Sequence, residues 1–309
     1  MIKNTYILSS LVAVFSLVLI SCSDNTYIPP TPSDARTLTV SVTDAPLDGV
    51  SKVMVQFSGV EIKHVDAEAE LIEFDAPVDV DILGLQGTLR TSILFEQKVS
   101  SGTYEFIRLI INAEQGEFDS LVLLDDNTWQ SLYIPDADRI GLKIIQPFFI
   151  YSGGNTHLTI DFDLRKSMEK DIAEGDYQLI PSLRVVSDDE AGHISGLVAN
   201  TLLSENACIG TNNQTNAAVY LFAEFTEGVG PQDIQRNELD PVSSAGIVFD
   251  SDTGEYSYTL GYLPKDVPFS AVLVCDASID APGTVDTLDY IGEIKTVTVI
   301  EELNVDLNF

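Results

Sequence analysis

Short runs in which apolar and polar residues alternate recur along this chain of 309 residues. The period of two is clear over residues 38–43, 53–57, 78–82 and 158–164. It places the apolar side chains of each run on one face of a strand. After Gly59 the apolar positions shift by one residue, which predicts a β-bulge there. The pattern predicts half-buried antiparallel strands whose outer faces are polar.

Helical spacing is sparse by comparison. Residues 87–97 could form a short helix with Leu89, Ile93 and Leu94 on one side, and residues 165–173 could form another. Neither stretch is long enough to be helical without tertiary packing. The chain is therefore predicted to be all-β, with two β-sandwich-like domains in tandem.

The N-terminus follows a different pattern. An apolar run, Ile7–Ile20, follows the single cation Lys3 and is too short for a comfortable bilayer span. It is typical of a secretory signal peptide over residues 1–21. The sequence Leu19-Ile20-Ser21-Cys22 resembles a bacterial lipobox, which implies cleavage before Cys22 and diacylation of that cysteine. The alternative is an ordinary signal peptide followed by an unrelated cysteine.

The residues after the lipobox predict where the protein is held. Residues 22–36 contain Pro29, Pro30 and Pro32, which favour an extended spacer after the lipidated cysteine. The sorting rule known for enteric bacteria retains a lipoprotein in the inner membrane when Asp follows the cysteine. Ser23 stands at that position, so we expect anchoring in the outer membrane of a bacterial cell envelope.

Residues 37–188 resemble a bacterial lipoprotein family known only as domain of unknown function 4382. The likeness is carried by five blocks in the family's order: Ser41–Pro46, Val80–Gly87, Ser101–Leu109, Asp161–Ser167 and Tyr177–Val186. The resemblance implies an envelope lipoprotein and no particular activity.

A second β domain is predicted over residues 193–309, after an acidic linker at 189–192. It resembles the carboxypeptidase regulatory-like, transthyretin-type β-sandwich through Ile194–Val198, Asp252–Tyr256 and the pair Leu263-Pro264. Lys265 stands where that family usually has a glycine. Transthyretin-type domains in larger proteins are commonly accessory, so the resemblance implies a non-catalytic role.

The formal net charge of −32 excludes some functions and suggests others. So acidic a chain repels phosphate backbones, which argues against nucleic-acid binding. Two interpretations stay open: a well-solvated surface, or binding of Ca²⁺, which requires oxygen ligands.

The calcium candidates are carboxylates two residues apart on one strand, which therefore share a face: Asp79, Asp81, Asp161 and Asp163. Arg165 is predicted to lie on the same face as the second pair and could neutralise it. Residues 250–255 and 125–127 are predicted to be turns, because they lack the full ligand set of a calcium loop.

Cys208 and Cys275 are the cysteines left after the lipobox, and both lie in the second domain. An exported compartment permits disulfides, so we expect them to pair. Two buried free thiols are the alternative.

No catalytic motif is found around the three histidines, His64, His157 and His193. We therefore expect a non-enzyme: a membrane-anchored lipoprotein that acts as a non-catalytic binding or adhesion module. The alternatives are a structural partner in an envelope or polysaccharide-handling assembly, and a hydrolase built on scattered carboxylates. Expected partners are the membrane, through the lipid, and an envelope protein or polysaccharide.

Overall fold

The computed structural model describes residues 36–135, 139–170, 175–300 and 304–309. The predicted signal peptide, Cys22 and residues 22–35 of the spacer lie outside the described residues. Strands dominate the described part of the chain and its helices are short, which confirms the all-β prediction. No helix in these ranges combines the length and the apolar character that crossing a membrane requires.

Within its described residues, the N-terminal half, 36–187, contains thirteen strands and one short α-helix, α1 (Leu164–Ser167). The strands are β1 (Arg36–Ala45), β2 (Val50–His64), β3 (Ala69–Asp81), β4 (Thr91–Lys98), β5 (Gly102–Asn112), β6 (Leu121–Leu124), β7 (Trp129–Tyr133), β8 (Lys143–Ile144), β9 (Phe148–Ile150), β10 (Gly154–Asp163), β11 (Met168–Lys170), β12 (Tyr177–Leu179) and β13 (Leu183–Ser187). Single 3-10 turns occur at Ile82–Gly84 and Arg139–Leu142.

Two sheets sandwich the core of this half. The smaller has the order β13-β10-β1-β4, with β1 and β10 parallel. The larger has the order β11-β12-β7-β6-β2-β5-β8, with β3 paired to β2 and β9 paired to β5. Apolar residues of both sheets form one buried cluster, in which the rings of Phe57 and Phe162 meet edge to face with centroids 5.9 Å apart.

The predicted bulge and the predicted helices have different outcomes. The register of β2 shifts between Phe57 and Gly59, which confirms the bulge. The helix predicted over residues 87–97 is wrong, because β4 occupies most of that stretch. Of the helix predicted over 165–173, only the short turn α1 exists before strand β11 begins at Met168.

The described part of the C-terminal half, residues 191–300 and 304–309, contains two four-stranded sheets, ordered β17-β18-β14-β21 and β16-β15-β19-β20. Its strands are β14 (Ala191–Val198), β15 (Ala218–Ala223), β16 (Ser243–Gly246), β17 (Val248–Asp250), β18 (Glu255–Pro264), β19 (Pro268–Val274), β20 (Tyr290–Thr298) and β21 (Asn304–Asp306). Its helices are α2 (Asn200–Glu205) and the 3-10 turns Thr211–Asn213 and Ala277–Ile279.

The two halves meet at a very short junction. The 3-10 turn Asp188–Glu190 connects them, and β14 already begins at Ala191, inside the predicted linker. No sheet in the described ranges combines strands from before and after this turn. The halves nevertheless belong to one compact unit, and strands β16 and β18 of the second half contact β1 and β13 of the first.

This packing changes the environment of the polar faces. The prediction of exposed polar faces is wrong for β1 and β10, where Thr39, Ser41, Thr43 and Thr159 are as buried as their apolar neighbours. Since unpaired polar groups are costly to bury, these side chains must find partners. The hydroxyls of Ser41 and Ser92, for example, hydrogen-bond at 3.0 Å.

Candidate functional site

A polar cleft of about 460 Å³ lies where the two halves meet. Its charged and amide side chains come from both: Asp161, Asp163, Lys166 and Arg184 from the N-terminal half, and Arg236, Asn237 and Asp240 from the C-terminal half. Clefts at domain interfaces are common ligand sites, and polar groups there fix the orientation of a ligand. The cleft is therefore the candidate functional site.

Arg184 and Asp161 form the central ion pair of the cleft. They stand directly opposite each other on the antiparallel strands β13 and β10, with Nη2 and Oδ2 2.5 Å apart. Only 6% of Asp161 is exposed. Burial raises the pKa of Asp161, and the neighbouring Arg184 opposes that rise. Nη1 of Arg184 donates to the carbonyl oxygen of Tyr262 in the other half.

Lys166, just after the end of β10, likewise pairs with a carboxylate and donates to a carbonyl oxygen of the other half. Asp163 accepts a hydrogen bond from the backbone N–H of Lys166 and so caps α1. The Lys166 Nζ lies 2.9 Å from the Asp163 carboxylate and donates to the carbonyl oxygen of Pro241 at 2.9 Å. Both carboxylates nominated on β10 are therefore already paired with cations.

Arg165 is a further cation of the N-terminal half at this interface, and its position differs from the one that the sequence predicts. Because the strand ends at Asp163, Arg165 belongs to α1 and does not share a face with Asp161 and Asp163. It pairs with Asp48 at 2.9 Å and donates to the carbonyl oxygen of Ala277 at 2.5 Å. We refer to Arg165, Lys166 and Arg184 as the interface cations.

A close backbone contact lies beside a second, smaller cavity of about 170 Å³. A Cβ atom added to Gly261 on β18 would fall on the carbonyl oxygen of Gly87 in the first half. Gly87 itself has φ +68°, a conformation that favours glycine. Only glycine therefore permits the two halves to approach this closely.

The other nominated carboxylates lie in the other sheet. Asp79 accepts from the Gln56 side chain at 2.8 Å. Asp81 accepts from the backbone N–H of Val53 at 3.2 Å and pairs with Lys52 at 3.8 Å. The structure does not bring the β3 pair and the β10 pair together at a common position.

A cluster that the sequence did not suggest is formed by Asp233, Asp280 and Asp286, whose carboxylate oxygens lie within 4.8 Å of one another. Asp280 accepts from the Tyr220 hydroxyl and the Ile234 N–H, and Asp233 accepts from the Gln235 amide and the Asp286 N–H. Burial raises the pKa of Asp280. Three ligands are fewer than the six to eight that Ca²⁺ takes. The cluster joins two loops distant in sequence, so no local motif marked it.

The histidines do not assemble a catalytic group. His64 accepts from the N–H of Asp66, His157 contacts the Asn155 amide, and His193 accepts from the N–H of Tyr262. In the described ranges, none hydrogen-bonds to a serine, a cysteine or another histidine. Burial, together with the nearby Arg90, lowers the pKa of His193.

Cys208 and Cys275 form the predicted disulfide, with Cα atoms 5.1 Å apart. The bond ties the loop after α2 to the end of β19 and adjoins the buried apolar cluster of the C-terminal half. It lies within this half and does not line the cleft.

Residues 36–181 match the model of a protein family described as a domain of unknown function, DUF4382. The match confirms the family resemblance for the N-terminal half and ends just before β13, the strand that carries Arg184. No curated protein and no solved structure matches the chain.

Proposed function

We propose that this protein is an outer-membrane-anchored lipoprotein and a non-catalytic binding module, with its ligand site in the cleft between the two halves. The observation that carries the binding role is the cleft itself, because both halves contribute polar side chains that are already held in place by ion pairs and hydrogen bonds. Such prior ordering reduces the entropy lost when a ligand binds.

The state of the carboxylates favours binding over hydrolysis. A hydrolase of this kind needs two carboxylates free to act as acid and base, with pKa values set apart by their surroundings. Asp161 and Asp163 are both ion-paired with cations of the cleft. Their geometry suits hydrogen bonding to a polar ligand, and we infer a hydroxyl-rich one such as an envelope polysaccharide.

We infer further that the C-terminal half is a transthyretin-type accessory domain. Its two four-stranded sheets enclose a core of their own, as a domain of that kind requires. In this proposal it supplies one wall of the cleft through Arg236 and Asn237, and the N-terminal half supplies the opposite wall.

The anchor is tested with Cys22→Ala in the full chain. We expect the wild type to sediment with membranes at high salt and the variant to move to the soluble fraction. A variant that still sediments with membranes would contradict lipid anchoring.

Ligand binding is tested on an array of bacterial polysaccharides with the purified full-length protein. Ser182→Ala combined with Asn237→Ala alters the cleft without removing an interface cation, and Ser251→Ala on the distant β17–β18 turn is the matched control. We expect the control to bind as the wild type does and the cleft variant to lose binding. Equal binding by all three proteins would remove the cleft from the proposal.

A further inference from the structure

Another polar cleft, of about 500 Å³, lies between the two halves and shares no lining residue with the candidate functional site. One wall belongs to the N-terminal half and includes Asp48 and Asp125. The other wall belongs to the C-terminal half and is formed by residues 212–216 and 247–249. Because both halves contribute to it, the cleft exists only when they are packed together. We call it the amide cleft, after the side chains of residues 212–216.

The loop that contains residues 212–216 connects α2 to β15, and its backbone is held in place from several sides. The Thr215 hydroxyl donates to the carbonyl oxygen of Cys208 at 2.7 Å, and Cys208 is fixed by its disulfide. The hydroxyl of Tyr256 on β18 donates to the carbonyl oxygen of Asn213 at 3.2 Å. A loop that is ordered before a ligand arrives loses less conformational entropy on binding.

The amide side chains of this loop, in contrast, are free. Within the described part of the chain, four of them are exposed and make no hydrogen bond to the protein: those of Asn212, Asn213, Gln214 and Asn216. Asn212 and Asn213 have φ of 59° and 58°, a left-handed conformation that asparagine tolerates better than most residues. Each amide offers N–H donors and an oxygen acceptor. A rigid loop thus presents donors and acceptors side by side at the cleft.

The remaining lining residues add fixed acceptors and an apolar surface. Asp48 accepts from Arg165 at 2.9 Å, and Asp125 accepts from the Ser51 hydroxyl at 2.8 Å. Each carboxylate has acceptor capacity beyond the one bond that orients it. Val248 of β17 lines the same cleft and is 61% exposed. Among the described residues that line the amide cleft, none is Lys or Arg.

We propose that the amide cleft is a separate binding site for an uncharged saccharide. A sugar hydroxyl both donates and accepts, which matches the free amides, and the C–H face of a sugar ring can pack on Val248. The two carboxylates and the net charge of −32 repel an anionic saccharide. A metal cation is the alternative occupant, but it gains nothing from Val248 or from the amide N–H donors. Because the cleft of the proposed function is also inferred to take a hydroxyl-rich ligand, the test must separate the two sites.

The test measures binding of the purified full-length protein to immobilised dextran, laminarin and mannan, which are uncharged, and to alginate, which is anionic. Gln214→Ala combined with Asn216→Ala is the loop variant, and Gln115→Ala combined with Gln146→Ala removes two exposed amides outside the amide cleft as its control. We expect the wild type and the control to bind at least one uncharged polymer and not alginate. The loop variant should bind about tenfold more weakly, because two neutral hydrogen bonds are lost. Val248→Ser is the second variant if circular dichroism shows that the loop variant does not fold.

The outcomes separate the two clefts. A loop variant that binds as tightly as its control, or a wild type that binds none of the uncharged polymers or prefers alginate, would overturn the amide cleft as a saccharide site. If Ser182→Ala combined with Asn237→Ala abolishes binding and the loop variant does not, this proposal fails and the proposed function stands. The reverse result supports the amide cleft and removes the other cleft from the proposed function, and loss in both variants supports a ligand that contacts both. A melting temperature that Ca²⁺ raises in the wild type but not in the loop variant would assign the amide cleft to a cation instead.

Discussion

Replacing Arg184 by Met should destabilise the protein strongly, because it leaves a buried carboxylate without its cation. Asp161 is 6% exposed and has Arg184 directly opposite on the neighbouring strand. The substitution keeps most of the apolar length of the side chain and removes the guanidinium. It also removes the donor to the carbonyl oxygen of Tyr262 across the interface.

The magnitude follows from the burial of both partners. Removing one partner of a buried ion pair destabilises by about 3–5 kcal/mol. Since the Arg184 side chain keeps 19% of its surface exposed, we expect the lower end, about 3 kcal/mol. For a protein of this size that corresponds to a fall in melting temperature of roughly 6 °C.

The stability lost in Arg184→Met should increase as the pH rises. Burial raises the pKa of Asp161 in the folded protein, so the folded state holds this proton more tightly than the unfolded chain does. The contribution of the Asp161 carboxyl to stability therefore falls as the pH rises from the ordinary pKa of Asp through the raised pKa of Asp161 in the folded protein. Without Arg184 the pKa rises further, so the deficit should be larger at about pH 7 than at about pH 5.

Urea unfolding followed by circular dichroism measures these changes. Adding Asp161→Asn to Arg184→Met should restore part of the lost stability, because the unpaired charge is gone, and should flatten the pH dependence. Arg108→Met is the control: Arg108 pairs with Glu61 with 41% of its side chain exposed, so its loss should be below about 1 kcal/mol. A loss for Arg184→Met no larger than the control, or no rescue by Asp161→Asn, would refute the reasoning.

Three further outcomes are expected. Replacing both Cys208 and Cys275 by Ser should lower the free energy of unfolding by roughly 4 kcal/mol, given the 67-residue separation, and an unchanged urea midpoint would contradict this. Gly261→Ala should lower the melting temperature by several degrees, because the added Cβ would fall on the carbonyl oxygen of Gly87. In the control Gly230→Ala the added Cβ has no atom within 4 Å, so the free energy of unfolding should stay within about 0.5 kcal/mol of the wild-type value. Millimolar Ca²⁺ should raise the melting temperature no more than NaCl of matched ionic strength, because the nominated aspartates already accept from protein donors; a larger shift with Ca²⁺ would indicate a specific site.

The sequence predicts strands correctly where the alternation of apolar and polar residues is unbroken. β10 and the start of β2 show it, and the bulge at Gly59 could be located because the pattern changed phase there. The sequence of β4 predicts a helix although it forms a strand, because the register of β4 with β1 shifts twice and leaves Ile93 and Leu94 buried side by side. Consecutive apolar residues of this kind suit a helix as well as an irregular edge strand.

The site was less predictable than the fold. A period of two identifies which residues share a face, but it does not reveal that a second set of sheets covers that face. The period of two predicts that Asp161 and Asp163 share a face of their strand, and both line the cleft. Their partners Arg184 and Lys166 depend on strand pairing and on the end of β10. The cleft likewise requires the packing of two halves whose contacts are far apart in sequence.

At three points of the interface, the side chains that join the halves all come from the N-terminal half: they are the interface cations. Each is held by an acid of its own half and donates to a main-chain carbonyl of the other, at Ala277, Pro241 or Tyr262. Every residue type supplies a carbonyl oxygen, so side chains of the C-terminal half can change at these positions without removing an acceptor. At these three positions the C-terminal half can therefore change its side chains, whereas the N-terminal half must keep its cations to preserve the contacts. Elsewhere in the interface the C-terminal half is restricted too, by Gly261 against Gly87 and by the ion pair of Arg236 with Glu169 at 3.0 Å.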